Sequence, residues 1–266
     1  MDGIIRTQLK RNFLKEIIMR LDYQGVLQSE LDNVVLDVKA YLKSQSFNRY
    51  SQKVKNQAVF GDTTVKEASS QIVHSFSSDE KGFSLELSPT FMILTVRPTG
   101  YVRFELYSSI FCHLTRLLSE KIDFFSTKRF GLRKINFCFI RDISAISEYF
   151  NPEYYSISEP VDAFGVGCIK RHSQMTDGKR KLNLNHFIEQ GELDTEVYYK
   201  ITLDTDIYST DEETILSLLG NDEIMISAND VLFRAYYNVL TDRFIEILSN
   251  EDAPIPNGII GVDFND

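Results

Sequence analysis

The chain has 266 residues, a net charge of −9 and a hydrophobic fraction of 43%, which suit one large globular domain or two small ones. The acidic balance disfavours non-specific binding to nucleic acid or to anionic lipid. No run reaches the roughly 18 apolar residues of a membrane span, and charges interrupt the first apolar stretch where a signal peptide would be continuous. The sequence therefore predicts a cytoplasmic protein without a membrane segment.

The first half of the chain is predicted to alternate between strands and helices. Residues 13–23 fit either a strand or a helix, and their β-branched and aromatic content favours a strand. An apolar stripe at helical spacing predicts a helix over 29–45. The polar stretch 48–70 predicts a loop or a mobile sheet edge, with one short strand near Val59. Alternating runs then predict three strands, over 70–76, 82–88 and 91–96. A broad apolar band predicts a helix over 101–121.

The second half repeats this scheme. The run "RFGLRKINFCFI" (129–140) predicts a strand, and a turn follows at Asn151-Pro152. Residues 227–250 carry the longest helical pattern in the chain, and "APIPNG" ends it. Three further strands are predicted over 161–172, 181–189 and 196–208.

These elements predict an α+β fold in which antiparallel sheet meanders pack against long amphipathic helices. Each half is a meander followed by a long helix, which suggests two similar halves, 1–150 and 151–266, around one core. Because strands of both halves have one apolar face, we expect a single domain over 1–266.

Three cysteines are scattered along the chain, at Cys112, Cys138 and Cys168, without a CxxC pair. This pattern indicates neither a zinc site nor a disulfide framework, and it predicts buried, reduced thiols. No cofactor is expected.

The element Gly131-Leu132-Arg133-x-Ile135-Asn136 resembles a motif of a sporadically distributed prokaryotic family without a settled activity. The likeness extends from about Arg11 to Ser249. It includes the strand at 11–23, a strand that ends as in 85–96, the helix that follows it and the amphipathic helix at 229–248. This chain has Lys134 where the family tends to have an aromatic residue. The resemblance brings no catalytic residues, and a patchy distribution is typical of mobile islands, antiviral defence and toxin–antitoxin pairs.

Arg133 shares strand parity with Ile135, Phe137 and Phe139, so the sequence places a charge in an apolar row. A guanidinium stays charged and is costly to bury unpaired. One interpretation is an ion pair or carbonyl clamp that fixes the strand register; the other is an anion clamp at a ligand site, with Asn136 on the opposite face. The acidic partners that we expect are Glu86, Glu105 and Asp204.

Other candidates for chemistry are sparse. Asp204 and Asp206 share a strand face and are the candidate ligands for a divalent cation. The alternative interpretation is that residues 203–213 form a solvated sheet edge and an acidic loop without a metal. His172 and His186 flank a basic turn and, with Asp177, form a second candidate metal set. No Walker sequence, nucleophile elbow or kinase signature is present, so no catalytic residue is assigned.

Three function classes are therefore compared. The first is a non-enzymatic protein-interaction component, antitoxin-, immunity- or sensor-like, of a mobile or antiviral defence locus, with a basic or toxin-like protein as partner. The second is a module that binds a small anionic ligand or nucleotide, with Arg133 at the pocket. The third is a metal-dependent hydrolase that uses Asp204 and Asp206. The sequence leaves the oligomeric state open.

Overall fold

The computed structural model describes residues 9–60, 65–78, 80–101, 103–157, 165–193, 195–256 and 259–264. The helices in these ranges are α1 (Gln28–Ser44), α2 (Phe104–Lys121), α3 (Ile146–Tyr149), α4 (Glu212–Gly220), α5 (Glu223–Asn238) and α6 (Asp242–Ser249). The strands are β1 (Arg11–Asn12), β2 (Leu14–Gln24), β3 (Arg49–Phe60), β4 (Val65–Ser78), β5 (Phe83–Leu87), β6 (Phe91–Val96), β7 (Ser126–Ile140), β8 (Cys168–Thr176), β9 (Arg180–Leu193), β10 (Glu196–Ser209), β11 (Ile259–Ile260) and β12 (Asp263–Phe264).

Ten of the strands in the described ranges form one antiparallel sheet. Nine of them run in the order β3-β4-β5-β6-β2-β7-β10-β9-β8, and β11 pairs with the end of β7. Strands β1 and β12 form a separate two-stranded ribbon. The α+β class with meandering antiparallel strands is confirmed. The sheet is continuous from one half of the chain to the other, while the division into 1–150 and 151–266 stays a prediction.

The described helices pack on one face of this sheet. A first apolar cluster joins α1, α2, α4 and α5 to β2, β5, β6 and β7, and a second joins α3, α5 and α6 to β7, β9 and β10. Along β7 the buried side chains are the even-numbered ones, including Phe130, Leu132, Cys138 and Ile140. The odd-numbered face of β7 therefore points away from the helices. No helix in the described ranges is both long and apolar enough to cross a membrane.

Two predicted elements are confirmed by their burial. Residues 13–23 form a strand, β2, because Ile17, Met19 and Leu21 alternate into the first cluster. Helix α1 buries the predicted stripe, and the Glu30 carboxylate accepts the Leu27 N–H at its start, 2.8 Å away.

Residues 48–70 do not form a loop, because β3 and β4 pair there as a long hairpin. The alternative of a sheet edge is confirmed, since β3 is the first strand of the sheet. An edge hairpin with one solvated face needs few apolar residues, so its polar composition looks like a loop. Val54 of β3 is 65% exposed, whereas Val73 and Phe76 near the end of β4 are buried. Residues 61–64 lie outside the described ranges.

The single helix predicted over 227–250 is also wrong, since α5 ends before Val239 and α6 begins after Thr241. At the break the Thr241 N–H donates to the Tyr149 carbonyl and the Thr241 hydroxyl caps α6 by accepting the Phe244 N–H. The apolar spacing continues through the break, so periodicity alone cannot reveal it. Within the predicted strand 161–172, residues 161–164 lie outside the described ranges and β8 begins at Cys168.

Helix α4 was not predicted. The acidic stretch at 211–213 begins it, because the Asp211 carboxylate accepts the Thr214 N–H and Glu212 and Glu213 fill the first turn. Strand β10, which precedes α4, lies between β7 and β9. The interpretation of 203–213 as a solvated sheet edge and loop is therefore wrong.

We expect Phe244→Ala to lower the free energy of unfolding by about 3–5 kcal/mol, because its ring is fully buried in the second cluster against Phe13, Tyr149 and Phe150. The control is Phe124→Ala, since Phe124 is 80% exposed; its effect should stay within about 0.5 kcal/mol. Equilibrium urea unfolding measures both. Equal effects of the two substitutions would remove α6 from the core.

The cysteine prediction holds for two positions and is wrong for the third. Cys112 and Cys138 are buried, whereas Cys168 is exposed at the start of β8. Burial raises the thiol pKa of both Cys112 and Cys138 to about 12, so neither forms thiolate readily near neutral pH.

Iodoacetamide should therefore modify only Cys168 in the folded protein at about pH 8. Intact-mass measurement is expected to show one adduct under native conditions and three after unfolding. A second adduct before unfolding would contradict the burial of the other two thiols.

Candidate functional site: a polar ladder on the open sheet face

Arg133 lies on the face of the sheet that no described helix covers, which we call the open face. The strand register sets Arg133 opposite Asp206 of β10 and Ile18 of β2. The premise that the row of Arg133, Ile135 and Phe137 belongs to the core is wrong, because the even-numbered side chains of β7 form the core. The arginine lies on this face because this face is partly solvated.

Asn136 lies on the opposite, helix-covered face, as parity predicted. It is 3% exposed, and its Nδ2 donates to the Leu203 carbonyl at 3.3 Å. Its contact therefore ties β7 to β10 from within the core.

The guanidinium of Arg133 forms a bidentate ion pair with Asp204. Nε donates to Oδ1 and Nη2 donates to Oδ2, both at 2.7 Å. The two side chains differ in exposure, 45% for Arg133 and 9% for Asp204. These hydrogen bonds are the main reason that the pKa of Arg133 is raised. Of the three expected partners Asp204 is confirmed; Glu86 instead pairs with Lys53 and Lys55.

The ion pair is part of a row of polar side chains that crosses four strands. The Asp204 carboxylate also accepts from Asn185 of β9 at 3.4 Å, and Asn185 contacts His172 of β8 at 2.6 Å. A second row joins Gln174, Asn183, Asp206, Arg129 and Asp22. We call these two rows the polar ladder.

Asp206 is a ladder carboxyl group whose pKa is raised. Burial raises its carboxyl pKa, while Arg129 and Arg133 act in the opposite direction. The Asp206 carboxylate lies 3.4 Å from Nη2 of Arg129. The two carboxylates proposed as metal ligands thus share a face, as predicted, and each faces a guanidinium.

The candidate metal sets do not assemble. Among the described residues, no group of three or more His, Cys, Asp or Glu side chains is placed to hold a metal ion. His172 faces the open side, whereas His186 is buried on the helix side beside Tyr154 and Tyr155. Burial there lowers the pKa of His186 to about 4.

Three half-buried phenylalanines lie beside the ladder on the open face. Phe137 and Phe139 meet edge to face at 5.7 Å, and Phe187 pairs with Thr202 on the neighbouring strand. Lysine ammonium groups lie over these rings: Lys200 is 4.4 Å from the Phe137 centroid and Lys170 is 5.8 Å from that of Phe187. Sequence reasoning missed Phe187, although the alternation along β9 opposes it to the buried Leu184 and Ile188.

The charge of the open face differs in sign from that of the whole chain. Apart from Arg49, which shares this strand parity but lines a cavity beside α1, register and side-chain contacts place ten basic and seven acidic described residues on it, while the chain carries −9. The basic residues are Lys15, Arg20, Lys53, Lys55, Arg129, Arg133, Arg141, Lys170, Lys181 and Lys200. The acidic residues are Glu16, Asp22, Glu86, Glu189, Glu196, Asp204 and Asp206.

Most of these cations are already neutralised. Seven of the ten lie within ion-pair distance of a carboxylate on the same face. The other three, Lys15, Lys181 and Lys200, lie over the rings of Phe137 and Tyr208. The face thus combines aromatic rings with charges that are largely paired.

Comparison with known proteins identifies no relative: no protein-family model matches the chain, and no curated protein matches it. The likeness to the family with the Gly-Leu-Arg-x-Ile-Asn motif stays a prediction.

We expect removal of the arginine to cost more than removal of the acid, because Asp204 is the more buried partner. Arg133→Met leaves a buried carboxylate with one weak hydrogen bond from Asn185, which should lower the free energy of unfolding by about 1–3 kcal/mol. Asp204→Asn leaves a guanidinium that reaches water, so its cost should stay below about 1 kcal/mol. A buried Arg133 would give the reverse order, because a guanidinium left without its acid would then be the costly group. Chemical denaturation of both variants at neutral pH measures the order, and a larger loss for Asp204→Asn would contradict this account.

Proposed function

We propose that this protein is a cytoplasmic, non-enzymatic binding component that docks a protein partner on the open face of its sheet. The observation that carries the proposal is the composition of that face, in which half-buried aromatic rings lie beside arginine–carboxylate pairs. Protein interfaces are enriched in aromatic residues and arginine. Charges that are paired in advance lose less on desolvation than free ones.

The paired charges favour a protein over nucleic acid as the partner. Binding to a nucleic-acid backbone depends on free cations that neutralise phosphates. On the open face seven of ten basic side chains already have carboxylate partners, and three lie over aromatic rings. The excess of three basic residues favours an acidic patch on the partner, whereas the whole-chain charge favoured a basic one.

The family resemblance suggests where such a component acts. An antitoxin-, immunity- or sensor-like role in a mobile or antiviral defence locus needs a specific partner surface and no catalytic residues. The paired carboxylates do not favour the metal-dependent hydrolase, since Asp204 and Asp206 both face guanidinium groups. A ligand clamp at Arg133 is also disfavoured, because an incoming anion would have to displace Asp204.

The test compares two charge-introducing substitutions on opposite sides of the molecule. Phe139→Glu places a carboxylate on the open face. The matched control Leu36→Glu makes the same kind of change on α1, where Leu36 is 67% exposed. Tagged wild-type protein captures a partner from the native host, mass spectrometry identifies it, and calorimetry then measures the affinity of the purified partner for each variant.

Phe139→Glu should weaken partner binding by about tenfold or more, since it introduces a desolvated charge at the centre of the interface. Leu36→Glu should leave the affinity unchanged, and both variants should keep the wild-type melting temperature within a few degrees. Loss of binding in Leu36→Glu with full binding in Phe139→Glu would place the interface on the helix side and refute the proposal.

A further inference from the structure

A cavity of about 530 Å³ lies between the C-terminal end of α1, the start of β3 and the end of β4. Its volume falls within the usual range of small-molecule sites. The apolar base is formed by Leu42, Phe47 and Phe76, all buried. This cavity is separate from the polar ladder, and the inference from it does not rest on the proposed docking function.

Four basic residues line the cavity, against a single acidic one, Glu80. They are Lys39, Lys43, Arg49 and Lys81. Lys81 donates to the Ser46 hydroxyl at 3.0 Å, and in the described part of the chain none of the three lysines has a carboxylate partner. In a chain that carries −9, this concentration of unneutralised cations favours an anion.

The partial negative charge at the C-terminal end of α1 does not exclude an anion from the cavity. The carbonyl groups of Leu42 and Lys43 accept N–H groups from residues 45–47, so they are already satisfied. Lys43, in the last turn, adds a positive charge where the helix dipole is negative.

One wall of the cavity carries a hydrogen-bonded chain of three side chains. The Tyr50 hydroxyl lies 3.0 Å from Nδ1 of His74, and Nε2 of His74 lies 3.2 Å from the Asp32 carboxylate. The His74 side chain is 1% exposed, whereas Tyr50 is 39% exposed and lines the cavity. Burial is the main reason that the pKa of His74 is lowered, which favours the neutral ring.

These hydrogen bonds between Asp32, His74 and Tyr50 fix the direction of the Tyr50 hydroxyl. Nε2 faces both the Asp32 carboxylate, at 3.2 Å, and the Gln28 amide nitrogen, at 3.4 Å. The Gln28 amide donates to Asp32 at 2.9 Å and a carboxylate only accepts, so we assign the imidazole proton to Nε2, facing Asp32. Nδ1 then accepts the Tyr50 O–H, and the lone pairs of the phenol oxygen remain available to the cavity. The Lys39 ammonium lies 3.5 Å from the centroid of the Tyr50 ring, which holds the phenol in place.

From this geometry we infer that the cavity binds a small phosphate ester that also carries a hydroxyl group. The lysines bind the phosphate oxygens, and Tyr50 accepts a hydrogen bond from the ligand hydroxyl. Because the phenol proton is engaged by His74, Tyr50 acts only as an acceptor. An ester can place its hydroxyl on Tyr50 while its phosphate stays on the lysines, whereas a single inorganic phosphate ion has to make both contacts with one small group. The site therefore discriminates between an ester that has a hydroxyl group and inorganic phosphate.

The experiment uses ribose 5-phosphate and inorganic phosphate as probes, with binding to the full chain measured by isothermal titration calorimetry at neutral pH and low salt. The wild-type protein should bind ribose 5-phosphate more tightly than phosphate. The double variant Lys43→Gln, Lys81→Gln should weaken both by about tenfold or more. The matched control is Lys53→Gln, Lys55→Gln on β3, which removes the same charge from the open face and should change neither affinity.

Tyr50→Phe separates the two parts of the site. It should preserve the affinity for inorganic phosphate and abolish the preference for ribose 5-phosphate. Because the buried Nδ1 of His74 loses its donor, the melting temperature should fall by a few degrees, and binding is measured well below it. Three results would each overturn the inference: no binding of either probe in the millimolar range, equal weakening by the two lysine pairs, or a preference that survives Tyr50→Phe.

Discussion

The alternation of side chains along β7 and β10 is the constraint on which the rest of this structure depends. Both strands lie in the middle of the sheet, and their register places one set of side chains under the helices and the other on the open face. A slip of one residue would move Cys138 and Ile201 into solvent and bury the guanidinium of Arg133. The bidentate pair between Arg133 and Asp204 is compatible with only one register, so it adds specificity to what the apolar residues require.

This constraint separates two kinds of surface. The helix side provides the stability of the fold, through two apolar clusters that together span the sheet. The open face combines aromatic rings with charged side chains. A buried core would not contain the charges, and a typical solvent-exposed surface would contain fewer of the rings. Most charges of the open face are paired, many of them across neighbouring strands, which holds these side chains in place and leaves a small basic excess on one face of an acidic protein. Side chains held in this way lose little conformational entropy when a partner binds.

Much of the fold could be predicted from the sequence, because period-two and helical spacing are local signals. The strand nature of 13–23, the buried stripe of α1 and the partnership of Arg133 with Asp204 all follow from parity and from the cost of an unpaired charge. The end of β4 was predicted as a strand over 70–76, where Val73 and Phe76 are buried, but the rest of the hairpin, from residue 49 onward, is too polar to give an apolar pattern. The break between α5 and α6 depends on a contact from Tyr149 to Thr241, nearly a hundred residues apart, and no local spacing encodes it.

The candidate site was only partly predictable, for a related reason. The alternation of side chains along a strand predicts which residues share a face with Arg133. It does not predict which face the helices cover, because that depends on how elements distant in the sequence pack together. The whole-chain charge was equally uninformative about the open face, because it averages two surfaces of opposite sign. The triad of Asp32, His74 and Tyr50 joins a helix to two strands and carries no spacing signal at all.

Hydroxyl-radical footprinting of the free protein and of its complex with the captured partner tests the central claim most directly. We expect the rings of Phe137, Phe139 and Phe187 to be oxidised in the free protein and protected in the complex, while the fully buried Phe13 and Phe244 resist oxidation in both. If the three open-face rings stay reactive in the complex while residues on the helix side become protected, the open face is not the docking surface.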